Sequence, residues 1–212
     1  MGNQAVLDKE PSLVYEFDGA LYLNITSRCP TACRFCVKFS WDYSYRGNNL
    51  KLPEDPSVDD IVRALPDNLS RFREIVFCGY GESTYRLSEM KALAPILRYK
   101  GAKRLRLNTV GLGNLIHGRN VAPELGEFLD AVSISLNTVD PIQYVEIMRP
   151  RPEFREKALD SVKEFIVACV KSVPETVVSA VALTGVDISG VPAVAKEAGA
   201  LFRLRPFLDS PE

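Results

Sequence analysis

Short apolar runs alternate along this chain with longer amphipathic stretches. Runs at residues 21–26 (LYLNIT), 74–78 (EIVFC), 104–108 (RLRLN), 131–136 (AVSISL), 176–183 (TVVSAVAL) and 201–205 (LFRLR) have the length of strands, and all but 104–108 carry β-branched or aromatic residues. The stretches between them carry helical periodicity. Val58, Ile61, Val62 and Leu65 fall at i, i+3, i+4 and i+7, after a capping-box-like Ser57 and Asp60 and before the stop at Pro66. A second helix begins at Ser88 with Met90, Leu93, Ala94 and Leu97 on one face. Pro95 predicts a kink or an early break in it, and Gly101 its end. A short helix covers about residues 122–129, and a longer one runs from near Pro152 to Cys169. The last begins near Ser189, keeps Val191, Val194, Ala195 and Ala198 inward, and stops at Gly199.

Strand followed by helix, repeated, places the chain in the α/β class with a parallel sheet and helices outside it. Six strands fall short of the eight that close a full barrel, so the pattern predicts a partial, open (β/α)6 TIM-type barrel. A flat doubly wound sheet has the same element order and is the alternative. Residues 1–20 read as a lead-in segment and residues 21–212 as the core domain. Residues 37–57 make a long connection rich in aromatic rings, Phe39, Trp41, Tyr43 and Tyr45, with Lys38 and Arg46 beside them. Such a loop serves as a substrate lid or as a packed shield.

Several strands are polar on one face. Tyr22, Asn24 and Thr26 alternate in the first, Arg104, Arg106 and Asn108 in the third. Ser133, Ser135 and Asn137 do so in the fourth, Arg203 and Arg205 in the sixth. A strand face packed under helices is apolar, so these faces are expected to line a wet lumen. Arginines at the rim that merely reach solvent are the plainer reading.

Composition narrows the setting more than the chemistry. The 26 Lys and Arg nearly balance the 27 Asp and Glu, which gives no reason to expect a nucleic-acid partner. No apolar run is long enough to span a membrane, and the first residues show no signal-peptide core, so no membrane partner and a cytoplasmic location are expected. Five cysteines, three of them clustered, fit metal binding in a reducing compartment better than a disulfide framework.

The cluster is Cys29, Cys33 and Cys36, spaced C-x3-C-x2-C directly after the first strand. Closed zinc sites take four protein ligands, and no fourth cysteine lies nearby. Three thiolates instead suit a [4Fe–4S] cluster with one iron left open. This loop, with Phe35 before the third cysteine, resembles the radical SAM superfamily motif CxxxCxφC, in which φ is aromatic. LYLNITSRCPTACRFC and the aromatic loop after it look most like the small radical SAM proteins named for gene linkage to TatD nucleases.

The resemblance implies a [4Fe–4S] cluster on Cys29, Cys33 and Cys36 and S-adenosyl-L-methionine (SAM) chelated to the open iron. Reductive cleavage of SAM then yields a 5′-deoxyadenosyl radical that takes hydrogen from a substrate. It implies SAM contacts from Phe35, from the strand end Gly79, Gly81 and Glu82, and from Asn108, Ser135 and Asn137. Cys78-Gly79-Tyr80-Gly81-Glu82 stands where the family has a GGEP-like motif, with Tyr80 replacing a glycine and Ser83 a proline. No catalytic side chain beyond the cluster ligands is assigned. An electron donor such as a flavodoxin or ferredoxin and an unidentified substrate, a small acidic metabolite or a macromolecule, are the expected partners. Arg149 and Arg151 are candidate anion grips. A non-catalytic zinc or iron–sulfur module is the rival reading.

Overall fold

The protein is described here by a computed structural model covering residue 6 and residues 9–208. Residues 1–5, 7, 8 and 209–212, the outer ends of the expected lead-in segment and core domain, lie outside it. The chain divides into two compact units, one of Met1–Cys29, Cys36–Arg106 and Leu208–Glu212, the other of Pro30–Phe35 and Leu107–Phe207.

In the first unit the expected lead-in supplies one strand of a hairpin. β1 (Val14–Phe17) pairs antiparallel with β2 (Ala20–Leu23). Asp18 and Gly19 between them have φ of 48° and 69°, the paired positive φ of a tight two-residue turn. The long connection is built rather than open: α1 (Val37–Ser40) leads into β3 (Ser44–Tyr45) and β4 (Asn48–Asn49), joined at Arg46-Gly47. α2 (Val58–Ala64) starts with the expected box. Ser57 Oγ accepts from Asp60 N at 3.1 Å, and Asp60 Oδ2 accepts from Ser57 N at 2.9 Å. Ser57→Ala is expected to cost about 1 kcal/mol in a urea titration, the usual loss of an N-cap oxygen.

β5 (Ile75–Phe77) pairs parallel with β2. A 3-10 turn, Ser83–Arg86, then feeds α3 (Leu87–Tyr99). α3 continues through Pro95 without the expected break, held by the buried row Leu87, Met90, Leu93, Ala94 and Leu97. Gly101, at φ 97°, ends it.

β6 (Leu105–Thr109) carries the chain into the second unit. There α4 (Gly113–His117) occupies part of what reads in sequence as a glycine-rich turn. α5 (Ala122–Gly126), β7 (Ala131–Ser135) and α6 (Pro141–Met148) follow. α6 has a strong start, since Asp140 Oδ1 accepts from Gln143 N at 2.7 Å and Pro141 fills the first turn. α7 (Ala158–Ser172) begins later than expected, because turns occupy the residues after Pro152. β8 (Glu175–Val181), α8 (Val191–Ala198) and β9 (Leu201–Arg205) complete the series.

The strand order is β1-β2-β5-β6-β7-β8-β9. β7–β8 and β8–β9 pair parallel, as β2–β5 does. β2 and β5 to β9 are the six strands expected from sequence, and β1 is an added antiparallel edge. With β1 and β9 at opposite ends of the order, the sheet is the open, partial kind.

Candidate cofactor site

In the first unit the backbone that delivers the cysteine loop is held from two sides. Thr26 Oγ1 donates to Asp55 Oδ1 at 2.6 Å and accepts from Arg28 N at 3.1 Å, while Arg28 Nε reaches Asp55 Oδ2 at 2.9 Å. The buried Arg86 guanidinium donates to Ile25 O at 3.1 Å and Pro56 O at 2.9 Å. Neither Asp55 nor Arg86 stands out in the sequence, because their partners are distant in the chain.

The strand end after β5 lies against the same segment. Glu82 N donates to Arg28 O at 2.8 Å. A Cβ on Gly81 would fall 2.3 Å from Thr26 O and 2.7 Å from Arg28 O, and one on Gly79 would fall 2.0 Å from Asn24 Oδ1. These glycines therefore admit the chain's own backbone and Asn24. Asn24 is fully buried and donates through Nδ2 to Ser12 O and Leu50 O, at 3.2 and 3.1 Å. Its Oδ1 is buried without a hydrogen-bond donor. The Glu82 carboxylate, 1% exposed, caps the 3-10 turn by accepting from Thr84 N at 3.2 Å and Thr84 Oγ1 at 2.8 Å.

Cys29 and Cys36 are half-buried in this unit. Burial pushes the Cys36 thiol up, while the backbone and ammonium of Lys38 pull it down. Lys38 is itself buried, with Nζ donating to Tyr80 O at 3.3 Å. The aromatic connection is tightly packed. Trp41 stacks on Tyr45 at 6.0 Å, Tyr45 meets Tyr15 edge-on at 6.0 Å, and the Tyr80 hydroxyl donates to Ser44 O at 3.0 Å.

In the second unit, residues 30–34 run antiparallel to the segment that leaves α6. Ala32 N donates to Arg149 O at 3.0 Å, Arg34 N to Ile147 O at 2.8 Å and Arg151 N to Pro30 O at 2.9 Å. Thr31 bridges Pro150, and Arg34 Nη1 pairs with Glu146 Oε1 at 2.8 Å. Arg149 takes φ 46° to turn the chain at this point, so Arg149 and Arg151 serve the loop through their backbone. Cys33 Sγ lies 3.3 Å from Thr31 Oγ1 and 3.9 Å from Met148 Sδ. Phe35 is half-buried.

The sequence matches the Radical SAM superfamily over residues 23–198, most of the chain and all three clustered cysteines. The chain belongs to the radical SAM superfamily. Solved structures of similar fold include TYW1 with a lysine-pyruvate adduct bound, at 13% identity and TM-score 0.61, covering 91% of this chain and 66% of that one. Streptococcus suis SuiB bound to precursor peptide SuiA is similar at 17% identity and TM-score 0.66, covering 98% of this chain and 43% of that one. A radical SAM methyltransferase from Sphaerobacter thermophilus is similar at 14% identity and TM-score 0.58, covering 91% of this chain and 68% of that one. This chain thus spans just under two thirds of TYW1 and less than half of SuiB. No curated protein matches its sequence.

Radical SAM membership implies a [4Fe–4S] cluster and SAM, and the groups around the cysteines suit them. All five cysteines are thiols. A buried ammonium beside Cys36 and a hydroxyl beside Cys33 are what anionic sulfur needs when withdrawn from water. Among the described residues, no three His, Cys, Asp or Glu side chains gather as a single metal ion requires. Thiolates on separate corners of a four-iron cluster do not have to converge on one atom. For SAM, Asn24 Oδ1 is a buried acceptor with capacity to spare.

The remaining residues expected at the radical SAM site lie in the second unit. Asn108 is half-buried in β6. Ser135 Oγ, at the end of β7, accepts from Arg205 Nη2 at 3.2 Å. Asn137 is fully buried, accepting from Val181 N at 2.9 Å and donating to Met148 Sδ at 3.2 Å. Ser135, Ser179 and Arg203 form one row across β7, β8 and β9.

In the first unit two arginines expected to face a lumen are already engaged. Arg106 binds Glu74 through two bonds of 2.9 Å, and Arg104 Nε lies 3.6 Å from the same carboxylate. Burial opposes ionisation of Glu74, but the Arg106 hydrogen bonds and the guanidiniums of Arg106, Arg73 and Arg104 outweigh it and hold its pKa below the ordinary value. A lowered folded-state pKa contributes stability in full above the unfolded value, about 4.3, and loses it as pH falls through the folded one. Glu74→Gln is therefore expected to lower the thermal midpoint at neutral pH and to flatten its decline below about pH 4.3. Parallel pH profiles for the two proteins would contradict this.

Among the described residues no helix is long and apolar enough to cross a membrane.

Proposed function

We propose that this chain is a radical SAM enzyme that cleaves S-adenosyl-L-methionine at a [4Fe–4S] cluster held by Cys29, Cys33 and Cys36. The observation that carries the reading is the C-x3-C-x2-C triplet, with aromatic Phe35 before its last cysteine, lying within the matched domain. When bound, the cluster and SAM supply a 5′-deoxyadenosyl radical that abstracts hydrogen from a substrate.

The chain's own groups hold and shelter that chemistry. Lys38 and Thr31 offset thiolate charge at Cys36 and Cys33. Gly79, Gly81 and Glu82 are proposed to bring the strand end beside the cysteine loop to SAM, with the Glu82 carboxylate and Asn24 Oδ1 as acceptors for its ammonium. Phe35, Asn108, Ser135 and Asn137 are proposed to complete the SAM contacts. The aromatic connection after Cys36 is proposed to act as a substrate lid or as a shield over the cluster face.

The substrate is proposed to be anionic, met by Arg203 and Arg205; a macromolecule is the alternative that an open sheet admits. Among proteins of this fold, SuiB was solved with a precursor peptide bound and TYW1 with a lysine-pyruvate adduct bound. A flavodoxin or ferredoxin is the proposed electron donor, in the cytoplasm. Within the superfamily we place the chain with the TatD-linked proteins.

The test is anaerobic reconstitution with iron and sulfide, followed by SAM and a reductant. Formation of 5′-deoxyadenosine and methionine is expected. A protein that takes up zinc and yields neither product is a structural metal module instead.

A further inference from the structure

The sulfur of Cys33 has a hydroxyl at hydrogen-bond distance, and that hydroxyl is fixed. Thr31 Oγ1 lies 3.3 Å from Cys33 Sγ. Thr31 is 5% exposed and paired through its backbone with Pro150. The neighbouring bonds Ala32 N to Arg149 O and Arg151 N to Pro30 O, at 3.0 and 2.9 Å, pin the loop on either side of it. Threonine is also stiff about its first side-chain bond. As a thiol, Cys33 can donate either to this oxygen or to Met148 Sδ at 3.9 Å. A metal-bound cysteine has lost its proton, so the thiolate can only accept. The Thr31 hydroxyl then becomes the donor. Met148 cannot donate, and its sulfur is kept in place by Asn137 Nδ2 at 3.2 Å, itself tied through Oδ1 to Val181 N at 2.9 Å.

We propose that Thr31 is a positioning residue whose hydroxyl donates to the Cys33 thiolate in the cluster-loaded protein and raises the cluster's reduction potential. The inference rests on the proposed function above. A donor on a ligand sulfur stabilises the reduced cluster, which carries the greater negative charge. One hydrogen bond to a charged group changes the reduction equilibrium about tenfold, or ~59 mV for one electron.

The experiment compares wild type, Thr31→Val and Thr31→Ser after anaerobic reconstitution. Iron, sulfide and zinc are counted, and the potential is taken from an EPR-monitored redox titration without substrate. The expected result is a full cluster in all three, a potential lowered in Thr31→Val and one close to wild type in Thr31→Ser. Iron loss confined to Thr31→Val also supports the role of the hydroxyl. Equal potentials in wild type and Thr31→Val, with clusters full, overturn this inference alone. So does an equal shift, or equal iron loss, in Thr31→Ser and Thr31→Val, which assigns the effect to the methyl. Wild type that binds zinc or no metal overturns the proposed function, and this inference with it.

Discussion

Replacing Cys29, Cys33 or Cys36 by alanine, one at a time, is expected to abolish 5′-deoxyadenosine formation and strip most of the iron from the reconstituted protein. The loss should exceed the roughly 10- to 100-fold that follows removal of a mere neighbour of a metal ligand. The reason lies in the ligand count. Three thiolates leave no reserve, and the chain's single histidine, His117, lies far along the sequence. The other cysteines are the internal controls. Cys169 is fully buried in α7, where burial alone pushes its thiol up to about 12, the behaviour of a core residue. Cys169→Ser should therefore retain iron and SAM cleavage while losing some stability. If one of the three cluster cysteines proves as dispensable as Cys169, the ligand assignment is wrong.

Gly81→Ala is expected to be the most damaging change outside the cysteines. Its Cβ would sit 2.3 Å from Thr26 O and 2.7 Å from Arg28 O, and both atoms are backbone. Neither can rotate away, so the strand end or the entry to the cysteine loop must shift. Forcing extra atoms into a close-packed site costs about 1–3 kcal/mol. Because Arg28 directly precedes Cys29, iron retention should fall together with stability. Gly79→Ala meets a side-chain atom, Asn24 Oδ1, at 2.0 Å, and Asn24 can yield by giving up its bonds to Ser12 O and Leu50 O. Urea titrations should rank Gly81→Ala below Gly79→Ala, and both below wild type. A Gly81→Ala protein within about 0.5 kcal/mol of wild type, the range of an ordinary surface change, would contradict the close approach drawn here.

The six expected strands were legible because each is a short run set off by breaks, and the helix at Ser57 because its cap is local. β1 was not, although Asp18-Gly19 is a hairpin signal, because Tyr15 and Phe17 alternate with polar residues in a segment that lacks a long apolar run. α6 was missed for a different reason. Its Asp-Pro start is present, but the only helix read between the fourth and fifth strands is the longer periodic one set near Pro152.

At the site, the cysteines announce themselves by spacing alone. What surrounds them does not, since Met148 lies 115 residues from Cys33 and Asp55 lies 29 from Thr26. Gly79 and Gly81 stand out in the sequence as glycines at a strand end, without a sign of what lies against them. Only the structure identifies what comes close, the chain's own residues 24–28. The arginines show the same limit. Alternation put Arg104 and Arg106 on a polar face, but not the carboxylate of Glu74 that engages them.

The central claim is that three cysteines hold a four-iron cluster with one corner left for SAM. The most direct measurement is the EPR spectrum of the reduced, anaerobically reconstituted protein before and after SAM is added, with metals counted in the same sample. About four irons per chain are expected, with a spectrum that changes when SAM binds. Bound zinc in place of iron, or a cluster signal indifferent to SAM, would contradict it.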